Sequence, residues 1–112
     1  MKRTETICEN RLFRRLYRSA KSEVTPLFVL YFRKNGLEKN RLGITTSTKI
    51  GNAVQRNRSR RVLREAYRLL EPSIATGYDF ILVARTRTAT VNMNTVKDML
   101  QAVLERQGAM NR

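Results

Sequence analysis

The sequence contains no histidine, no tryptophan, one cysteine, two prolines and only nine acidic residues among 112. Without histidine the chain cannot form a Ser–His or Cys–His catalytic pair, and it lacks the commonest side-chain ligand of transition metals. The carboxylates are spread along the chain and form no compact acidic cluster of the kind that a two-metal nuclease requires. Several of them fall in segments with helical periodicity, where pairing with nearby arginines explains them. The composition therefore argues against acid–base catalysis by the protein itself.

Two further scarcities bear on the compartment. Cys8 has no second cysteine to pair with, so the chain gives no sign of an oxidising environment. The longest purely apolar run, residues 27–32, has six residues, far fewer than a membrane span needs. The basic start, Met1-Lys2-Arg3, is not followed by the apolar stretch of a signal peptide. We therefore expect a soluble cytoplasmic protein without a membrane partner.

Positive charge is what the sequence has in excess, with 23 lysines and arginines against nine acidic residues and a formal charge of +14. The 41% of hydrophobic residues nevertheless suits a packed core, so we do not expect a disordered chain. The length fits one domain, and no repeat, low-complexity tract or internal linker interrupts it. We expect a single domain over residues 1–112, in which the polar and charged residues 1–8 form a mobile arm.

The hydrophobic pattern predicts a mixed α+β domain. Apolar residues recur at the three-to-four-residue spacing of helices in residues 9–21, in residues 53–70 and in a last segment that Asn92 or Asn94 caps. Short apolar runs predict strands over residues 27–32, 41–47 and 78–85, the last of which is the most apolar and therefore central. The turn signal Asn35-Gly36 predicts that residues 35–40 are the loop of a hairpin. We expect the helices to cover mainly one face of the sheet.

The second predicted helix is unusually rich in arginine. Residues 49–68 contain seven basic residues against one acidic residue, Glu65; the basic ones are Lys49, Arg56, Arg58, Arg60, Arg61, Arg64 and Arg68. Four of the arginines follow one another at four-residue steps, about 40° apart around the helix and opposite the apolar stripe. Like charges at this spacing repel, so a face that is merely solvated would mix the signs. Arginine also suits bidentate contacts with phosphate, so the pattern predicts a surface that binds a polyanion.

Two weaker candidates accompany this helix. Gly51 and the first turn of the helix could add an anion site, because helix N-termini favour phosphate. Phe13 and Tyr17 lie one helical turn apart and Tyr31 lies on a strand, and rings beside basic residues suit single-stranded RNA, whose bases stack on them. Plain core packing is the alternative for all three rings. Periodicity favours it for Phe13, whereas the hydroxyls of the two tyrosines prefer a wet edge. The residues alone leave both interpretations open.

Several strings resemble the protein subunit of bacterial ribonuclease P. They are Arg41-Leu42-Gly43-Ile44, Lys49-Ile50-Gly51-Asn52-Ala53-Val54 and Arg56-Asn57-Arg58, with Phe13 and Tyr17, Phe28-Val29-Leu30-Tyr31 and Gly77-Tyr78-Asp79 in the flanks. The resemblance covers about residues 9–105, nearly the whole chain. It implies an α-β-β-β-α-β-α sandwich of the ribosomal protein S5 domain 2-like type. It also implies that the arginine helix lies in a left-handed β-α-β crossover, against the general right-handed rule, and that a short extra strand lies near Glu23-Val24.

The resemblance further implies a function. In this family the RNA subunit is the catalyst, acting with magnesium that it mainly binds itself, and the enzyme is an endonuclease that removes the 5′ leader from precursor tRNA. The protein is the non-catalytic subunit of this ribonucleoprotein enzyme. It binds the leader, supports the RNA and its metal ions, and broadens substrate recognition. On this interpretation no residue of the protein is catalytic.

The family's sites carry over to matching positions. The resemblance assigns the 5′-leader cleft to Phe13, Tyr17, Tyr31 and Lys49. It assigns contact with the RNA subunit to Asn52, Arg56, Asn57, Arg58, Arg60, Arg61, Arg64 and Arg68. It leaves room for a phosphate-associated magnesium ion near Asn57, without a metal bound by the protein directly.

The sequence departs from the family at three positions. Thr48 replaces one of two usual lysines, Ala20 stands where a glycine is common after the first helix, and Cys8 replaces a basic residue. Two rival functions remain at this point. One is a generic binding module, such as a ribosomal or nucleic-acid chaperone protein of the same broad fold, and the other is a protein-only nuclease.

Overall fold

The computed structural model describes residues 3–47 and 49–111, so Thr48 lies outside the described residues. Within these ranges the chain forms five strands, β1 (Thr4–Thr6), β2 (Lys21–Val24), β3 (Phe28–Lys34), β4 (Asn40–Thr46) and β5 (Tyr78–Ala84). It also forms three α-helices, α1 (Asn10–Ser19), α2 (Ala53–Leu70) and α3 (Met93–Arg106). Short 3₁₀ turns, Glu71–Ser73 and Thr86–Ala89, follow α2 and β5. The prediction of an α+β domain is confirmed.

The strands form one sheet in the order β1-β4-β5-β3-β2. β5 lies at its centre, as predicted from its apolar sequence, and it pairs in parallel with β4 and antiparallel with β3. Ile81 and Leu82 of β5 are fully buried on opposite faces of the sheet. A strand that is apolar on both faces is stable only where both faces are covered, which explains its central position.

The predicted hairpin is wrong. β3 and β4 do not pair with each other, because β5 lies between them and pairs with both. The backbone N–H of Asn35, at the end of β3, donates to the carbonyl of Gly77, just before β5. The loop that follows Asn35 therefore crosses the end of β5. The chain does turn after β3, but β5 pairs with the edges of both β3 and β4, because its two apolar faces are buried at the centre of the sheet.

Alternate residues of the strands feed two separate cores. On one face the side chains of Phe28, Leu30, Phe80 and Leu82 pack against α2 and α3. On the other face Ile81 packs beneath α1 in a smaller cluster, whose buried members also include Ile7 and Leu16. Two of the three helices thus share one face, which agrees with the expectation that the helices cover mainly one side. α1 stands alone on the other side.

The prediction of a mobile arm is wrong for residues 4–7. β1 pairs in parallel with β4, and Ile7 is buried with its N–H donating to the carbonyl of Leu42 at 2.8 Å. The hydroxyl of Thr4 also lies 2.9 Å from that of Tyr67 on α2. The segment is ordered because one apolar residue, Ile7, completes the core beneath α1. Met1 and Lys2 lie outside the described residues.

β2 confirms the short strand expected near Glu23-Val24. With β1 added, the order of elements is β-α-β-β-β-α-β-α, one strand more than the resemblance implied. α2 connects the parallel neighbours β4 and β5, and the left-handedness of this β-α-β crossover stays a prediction. α1 ends at Ser19, and Ala20 has an extended backbone with φ of −82°, so this position needs no glycine.

No α-helix in the described part of the chain is both long and apolar enough to pass through a lipid bilayer. Cys8 is a free, exposed cysteine just before α1.

Candidate nucleic-acid interface

The three aromatic residues singled out in the sequence come together between α1 and the sheet. Leu16 is buried and packs α1 against the sheet. Phe13 and Tyr17 therefore lie on the flank of the helix, at the edge of this contact. The ring centroids of Phe13 and Tyr17 are 6.3 Å apart, and those of Tyr17 and Tyr31 are 4.9 Å apart in an edge-to-face arrangement. This geometry lies within the preferred range for aromatic pairs, so the rings support one another.

Gly43 on β4 makes room for the Phe13 ring. A Cβ atom at position 43 would lie 2.6 Å from Cζ and 2.7 Å from Cε1 of Phe13. Such distances are a steric clash, so only glycine permits this ring to lie against the strand backbone. Sequence reasoning assigned Gly43 no role beyond its place in a motif. The signal was there, because a glycine inside a strand pattern indicates that another group approaches the backbone closely.

The rings border an open cleft, which we call the aromatic cleft. Its volume is about 330 Å³, and it is lined by Asn10, Phe13, Arg14, Tyr17 and Thr45. Tyr31 is half-buried and supports Tyr17 from the sheet side. Lys49, predicted for this site, lies outside the lining, exposed in the loop after β4. The structure instead adds Arg14, which sequence reasoning did not assign although it lies one residue after Phe13.

The chemistry of the aromatic cleft suits an unpaired nucleic-acid strand. Tyr17 is 41% exposed, so part of its ring is available to a ligand. Burial, and secondarily the neighbouring Tyr31, raises the pKa of Tyr17, so this phenol remains neutral at physiological pH. A neutral ring can stack on a base, and Arg14 beside it can contact a phosphate. The cleft thus offers an aromatic ring for the base of a nucleotide and a guanidinium group for its phosphate.

The inner face of α2 agrees with the predicted apolar stripe. Its buried residues are Ser59, Leu63, Ala66, Tyr67 and Leu70, which recur at helical spacing. The side chain of Asn52 accepts a hydrogen bond from the N–H of Gln55 at 2.9 Å and so caps the N-terminus of α2. Asn52 and the first turn, residues 51–55, are exposed. Packing therefore fixes which face of α2 is presented to solvent.

The outer face of α2 carries arginines with few contacts inside the protein. Arg61 and Arg64 are exposed and make no hydrogen bond or ion pair within residues 3–47 and 49–111. Arg56 donates weakly to the carbonyl of Gly51 at 3.3 Å. Arg60 donates to the hydroxyl of Thr46 at 3.5 Å and also contacts Asn57. We call Arg56, Arg60, Arg61 and Arg64 the arginine face.

The other predicted arginines of α2 are more strongly engaged. Arg58 donates from Nε to the carbonyl of Ala89 at 2.9 Å, on the 3₁₀ turn after β5. Arg68 pairs with Glu65 one turn earlier, at 2.9 Å from Nε to Oε2. Hydrogen bonding between them raises the pKa of Arg68 and lowers that of Glu65. The expectation that the arginine row repels at every step is therefore wrong at its last step, where Glu65 offsets the charge.

The aromatic cleft and the arginine face meet at one end of β4. Thr45 lines the cleft, and Thr46, the next residue, accepts the hydrogen bond from Arg60. Consecutive strand residues point to opposite faces of a sheet, so the two surfaces are separated by the thickness of one strand. A ligand in the cleft and a ligand on the arginine face would thus lie on opposite sides of β4 at this end of the strand.

The neighbourhood of Asn57 does not suit direct coordination of a metal ion. Its Oδ1 already accepts a hydrogen bond from Arg60, and the other charged groups nearby are guanidinium groups. In the described ranges no group of three or more carboxylates or cysteines could hold an ion. Magnesium needs several oxygen ligands, which phosphates rather than these side chains would have to provide.

Comparisons with known proteins agree with this geometry. A family model described as Ribonuclease P matches residues 1–108. The ribonuclease P protein component of Clostridium botulinum (strain Loch Maree / Type A3) is 38% identical over 106 residues, which cover 94% of this chain and 96% of the relative.

Two solved structures share the fold. The RNase P protein of Staphylococcus aureus superposes with a TM-score of 0.82 at 32% identity, covering 95% of this chain and 97% of the other. The RNase P protein of Thermotoga maritima gives a TM-score of 0.81 at 33% identity, with coverage of 91% and 96%. The chain is thus similar in sequence and in structure to the same group of proteins.

Proposed function

The chain belongs to the ribonuclease P protein family, and from this premise we propose how its two surfaces share the binding of RNA. The resemblance inferred from the sequence motifs is thereby confirmed. The chain is the protein subunit of a ribonucleoprotein endoribonuclease that acts in the 5′ processing of tRNA. Its partner is the RNA subunit of that enzyme, and the enzyme uses metal ions together with its RNA.

We propose that the aromatic cleft binds the 5′ leader of precursor tRNA. The observation that carries this proposal is the contact of Phe13, Tyr17 and Tyr31 at the wall of an open cleft, with Arg14 beside them. Stacking of unpaired bases on such rings contributes roughly 1–3 kcal/mol per base and tolerates any base. The cleft can therefore hold leaders of differing sequence. Lys49 contributes charge from the exposed loop rather than from the lining.

We propose that α2 binds the RNA subunit. The residues that we assign to this contact are Asn52, Arg56, Asn57, Arg58, Arg60, Arg61, Arg64 and Arg68. Arg61 and Arg64 of the arginine face support this role because they have no partner in the described protein to give up on binding. Its charge offsets the repulsion between two RNA molecules, which allows the substrate to approach the catalytic RNA. The proximity of Thr45 and Thr46 on β4 would bring leader and RNA subunit together.

We propose magnesium as the metal ion, held by phosphates of the RNA rather than by the described residues of the protein. Phosphodiester hydrolysis needs an activated water and an oriented phosphate, for which an RNA can provide the ligands. The protein's own contribution is to bind and orient the substrate strand. Because both partners are intracellular RNAs, we place the complex in the cytoplasm.

Cleavage of a precursor tRNA at low magnesium tests the function. The reactions contain the RNA subunit alone, the protein alone or both. We expect efficient cleavage only with both, because the protein supplies positive charge that magnesium otherwise provides. Activity of the RNA-free protein would establish a protein-only nuclease instead. A lack of any stimulation would favour a generic RNA-binding module.

A binding comparison tests the cleft separately. The reconstituted enzyme should bind precursor tRNA more tightly than mature tRNA, which has no leader. The variant Phe13→Ala should lose most of this difference while its affinity for mature tRNA stays the same. Equal affinity of the unaltered enzyme for both RNAs would refute the assignment of the cleft to the leader.

A further inference from the structure

α1 presents a second arginine surface on the side away from the sheet. Arg11, Arg14, Arg15 and Arg18 are all exposed. At 100° per residue they fall within an arc of about 100°, opposite the buried Leu16. In the parts of the chain that the structure describes, none of the four guanidinium groups has a hydrogen bond or an ion pair. Four neighbouring positive charges thus remain unneutralised.

This surface does not serve the stability of the helix. The pairs Arg11–Arg15 and Arg14–Arg18 have the four-residue spacing at which like charges repel. The first turn of α1 contains no acidic residue, and the N-cap residue Glu9 makes no capping hydrogen bond. The helix dipole disfavours the positive charge of Arg11 in the first turn and favours that of Arg18 in the last turn, so it does not offset the repulsion along the whole face. A helix face that costs stability in this way indicates a ligand of opposite charge.

The arginines also form a shaped surface, which we call the α1 groove. It has a volume of about 550 Å³ and is lined by Arg11, Arg14, Arg15, Arg18 and Ser19. Arg14 lines both the α1 groove and the aromatic cleft, so the two lie side by side along α1. A strand that leaves the rings past Arg14 would lie directly on the α1 groove. No aromatic ring is among the residues that line the groove, so it offers contacts for phosphates and not for bases.

We propose that the α1 groove binds the phosphodiester backbone of leader nucleotides upstream of those held in the aromatic cleft. The proposal rests on the proposed function, because the cleft delivers the strand to Arg14. Arginine suits this ligand, since its planar guanidinium binds two phosphate oxygens at once. The α1 groove extends leader binding beyond the rings and adds no preference for sequence. Longer leaders should consequently bind more tightly than short ones.

The test measures affinity of the reconstituted enzyme for precursor tRNAs with leaders of graded length. The variant Arg11→Gln/Arg15→Gln/Arg18→Gln removes three of the four charges that line the groove and keeps Arg14, which also lines the cleft. Glutamine is a good helix former, so the substitutions should not disturb α1. We expect the enzyme with this variant to bind mature tRNA, and precursors with short leaders, as tightly as the unaltered enzyme does. For long leaders we expect a loss of about tenfold at moderate salt, from roughly two- to threefold per phosphate contact.

Two control variants separate the groove from net charge and from folding. Arg11→Lys/Arg15→Lys/Arg18→Lys keeps the charge and should retain most of the affinity for long leaders. Lys34→Gln/Arg87→Gln/Lys97→Gln removes from other elements the same number of charges that are unpaired within the described residues, and should leave the dependence on leader length intact. The glutamine variant of α1 should also have a higher Tm than the unaltered protein, because the repulsion is relieved.

The outcomes distinguish this proposal from the function on which it rests. If the glutamine variant lost the same affinity at every leader length, the arginines would contact another part of the RNA and the proposal would be wrong. If its affinity fell together with its Tm, the arginines would be structural residues, which would also overturn the proposal. The absence of any gain beyond a short leader would overturn it alone and leave the aromatic cleft intact. Equal affinity of the unaltered enzyme for mature tRNA and for precursors with short leaders would instead refute the aromatic cleft, on which this proposal rests.

Discussion

The aromatic cleft and the arginine face both contact RNA in our proposal, but the fold builds them in different ways. The rings of the cleft touch one another and the backbone of β4, and Phe13 occupies the space that the missing side chain of Gly43 leaves. The side chains of Arg61 and Arg64 project into solvent and make no contact with the rest of the described protein that holds them in place. The aromatic cleft is built from residues that pack in or against a core, whereas these arginines depend only on the position of α2.

This difference predicts how binding and stability are related. In the cleft the same packing that orients the rings also stabilises the domain, so substitutions there should affect both properties. On the arginine face Arg61 and Arg64 have no partner in the described protein, so their substitution should weaken RNA binding and leave stability nearly unchanged. The experiments below are ordered by the size of the effect that this comparison predicts.

The largest effect is expected from Gly43→Val. The new side chain would collide with Phe13, and overpacking of this kind costs roughly 1–3 kcal/mol of unfolding free energy. Chemical denaturation measures that loss, and the affinity ratio of precursor to mature tRNA should fall as well. Adding Phe13→Leu should restore part of the stability without restoring leader affinity, which a double-mutant cycle reveals. Strictly additive effects would mean that this ring is not what Gly43 accommodates.

Tyr17→Ala should weaken leader binding with a smaller effect on folding. The loss of one stacked base costs roughly 1–3 kcal/mol, whereas a ring that is 41% exposed contributes less to the core than Phe13 does. Equilibrium binding to precursor and mature tRNA measures the effect. The matched control Tyr17→Phe keeps the ring and should retain the affinity. If Tyr17→Phe weakened binding as much as Tyr17→Ala, the hydroxyl and not stacking would be responsible.

Substitutions on α2 should affect binding in proportion to the free charge. Arg61→Gln and Arg64→Gln should each weaken association with the RNA subunit and flatten its salt dependence by about one unit per lost phosphate contact. Arg68→Gln should have a smaller effect, because Glu65 already offsets that charge. Titrations at several salt concentrations measure the slopes, and thermal unfolding should show no loss of stability. Equal slopes for all three variants would show that the pairing with Glu65 does not persist.

The smallest effect is expected in the pH dependence of stability, which should differ between the inner and the outer face of α2. Burial raises the pKa of Tyr67 above its usual 10, although hydrogen bonds from Thr4 and Asn40 oppose this. The folded protein therefore keeps this phenol protonated where the unfolded chain ionises it, so its contribution to stability is lost as pH rises above about 10. Tyr67→Phe should show a shallower fall in Tm over that range. Identical pH profiles would contradict this account, and Arg64→Gln, on the outer face, should leave the profile unchanged.

Much of the site could be predicted from local pattern. The apolar stripe of α2 fixes its orientation, because a helix with one apolar face buries that face. The positions of Arg61 and Arg64 follow from it by helical geometry alone. The end of α2 near Arg68 was less predictable, since Glu65 could lie beside several arginines and only the side-chain conformations select one.

The two errors about the fold concern partners that are distant in sequence. The hairpin was predicted from a turn between two adjacent strands, yet β5, more than 30 residues later, separates them. The arm was predicted from its polarity, although one residue, Ile7, suffices to order it beneath α1. Local periodicity carries no information on which strand a segment will pair with, because pairing depends on the relative burial of every candidate edge.

The sequence by itself determined the charge, the helices, the central strand and an arginine-rich surface suited to a polyanion. Those properties follow from composition and from periodicity within single elements. Only the tertiary structure decided that Phe13, Tyr17 and Tyr31 are in contact, that Gly43 admits the first of them, and that Arg14 joins the cleft to the α1 groove. Each of these contacts depends on how α1 is placed against the sheet, and the free energy of that placement comes from burial of side chains that many elements supply together.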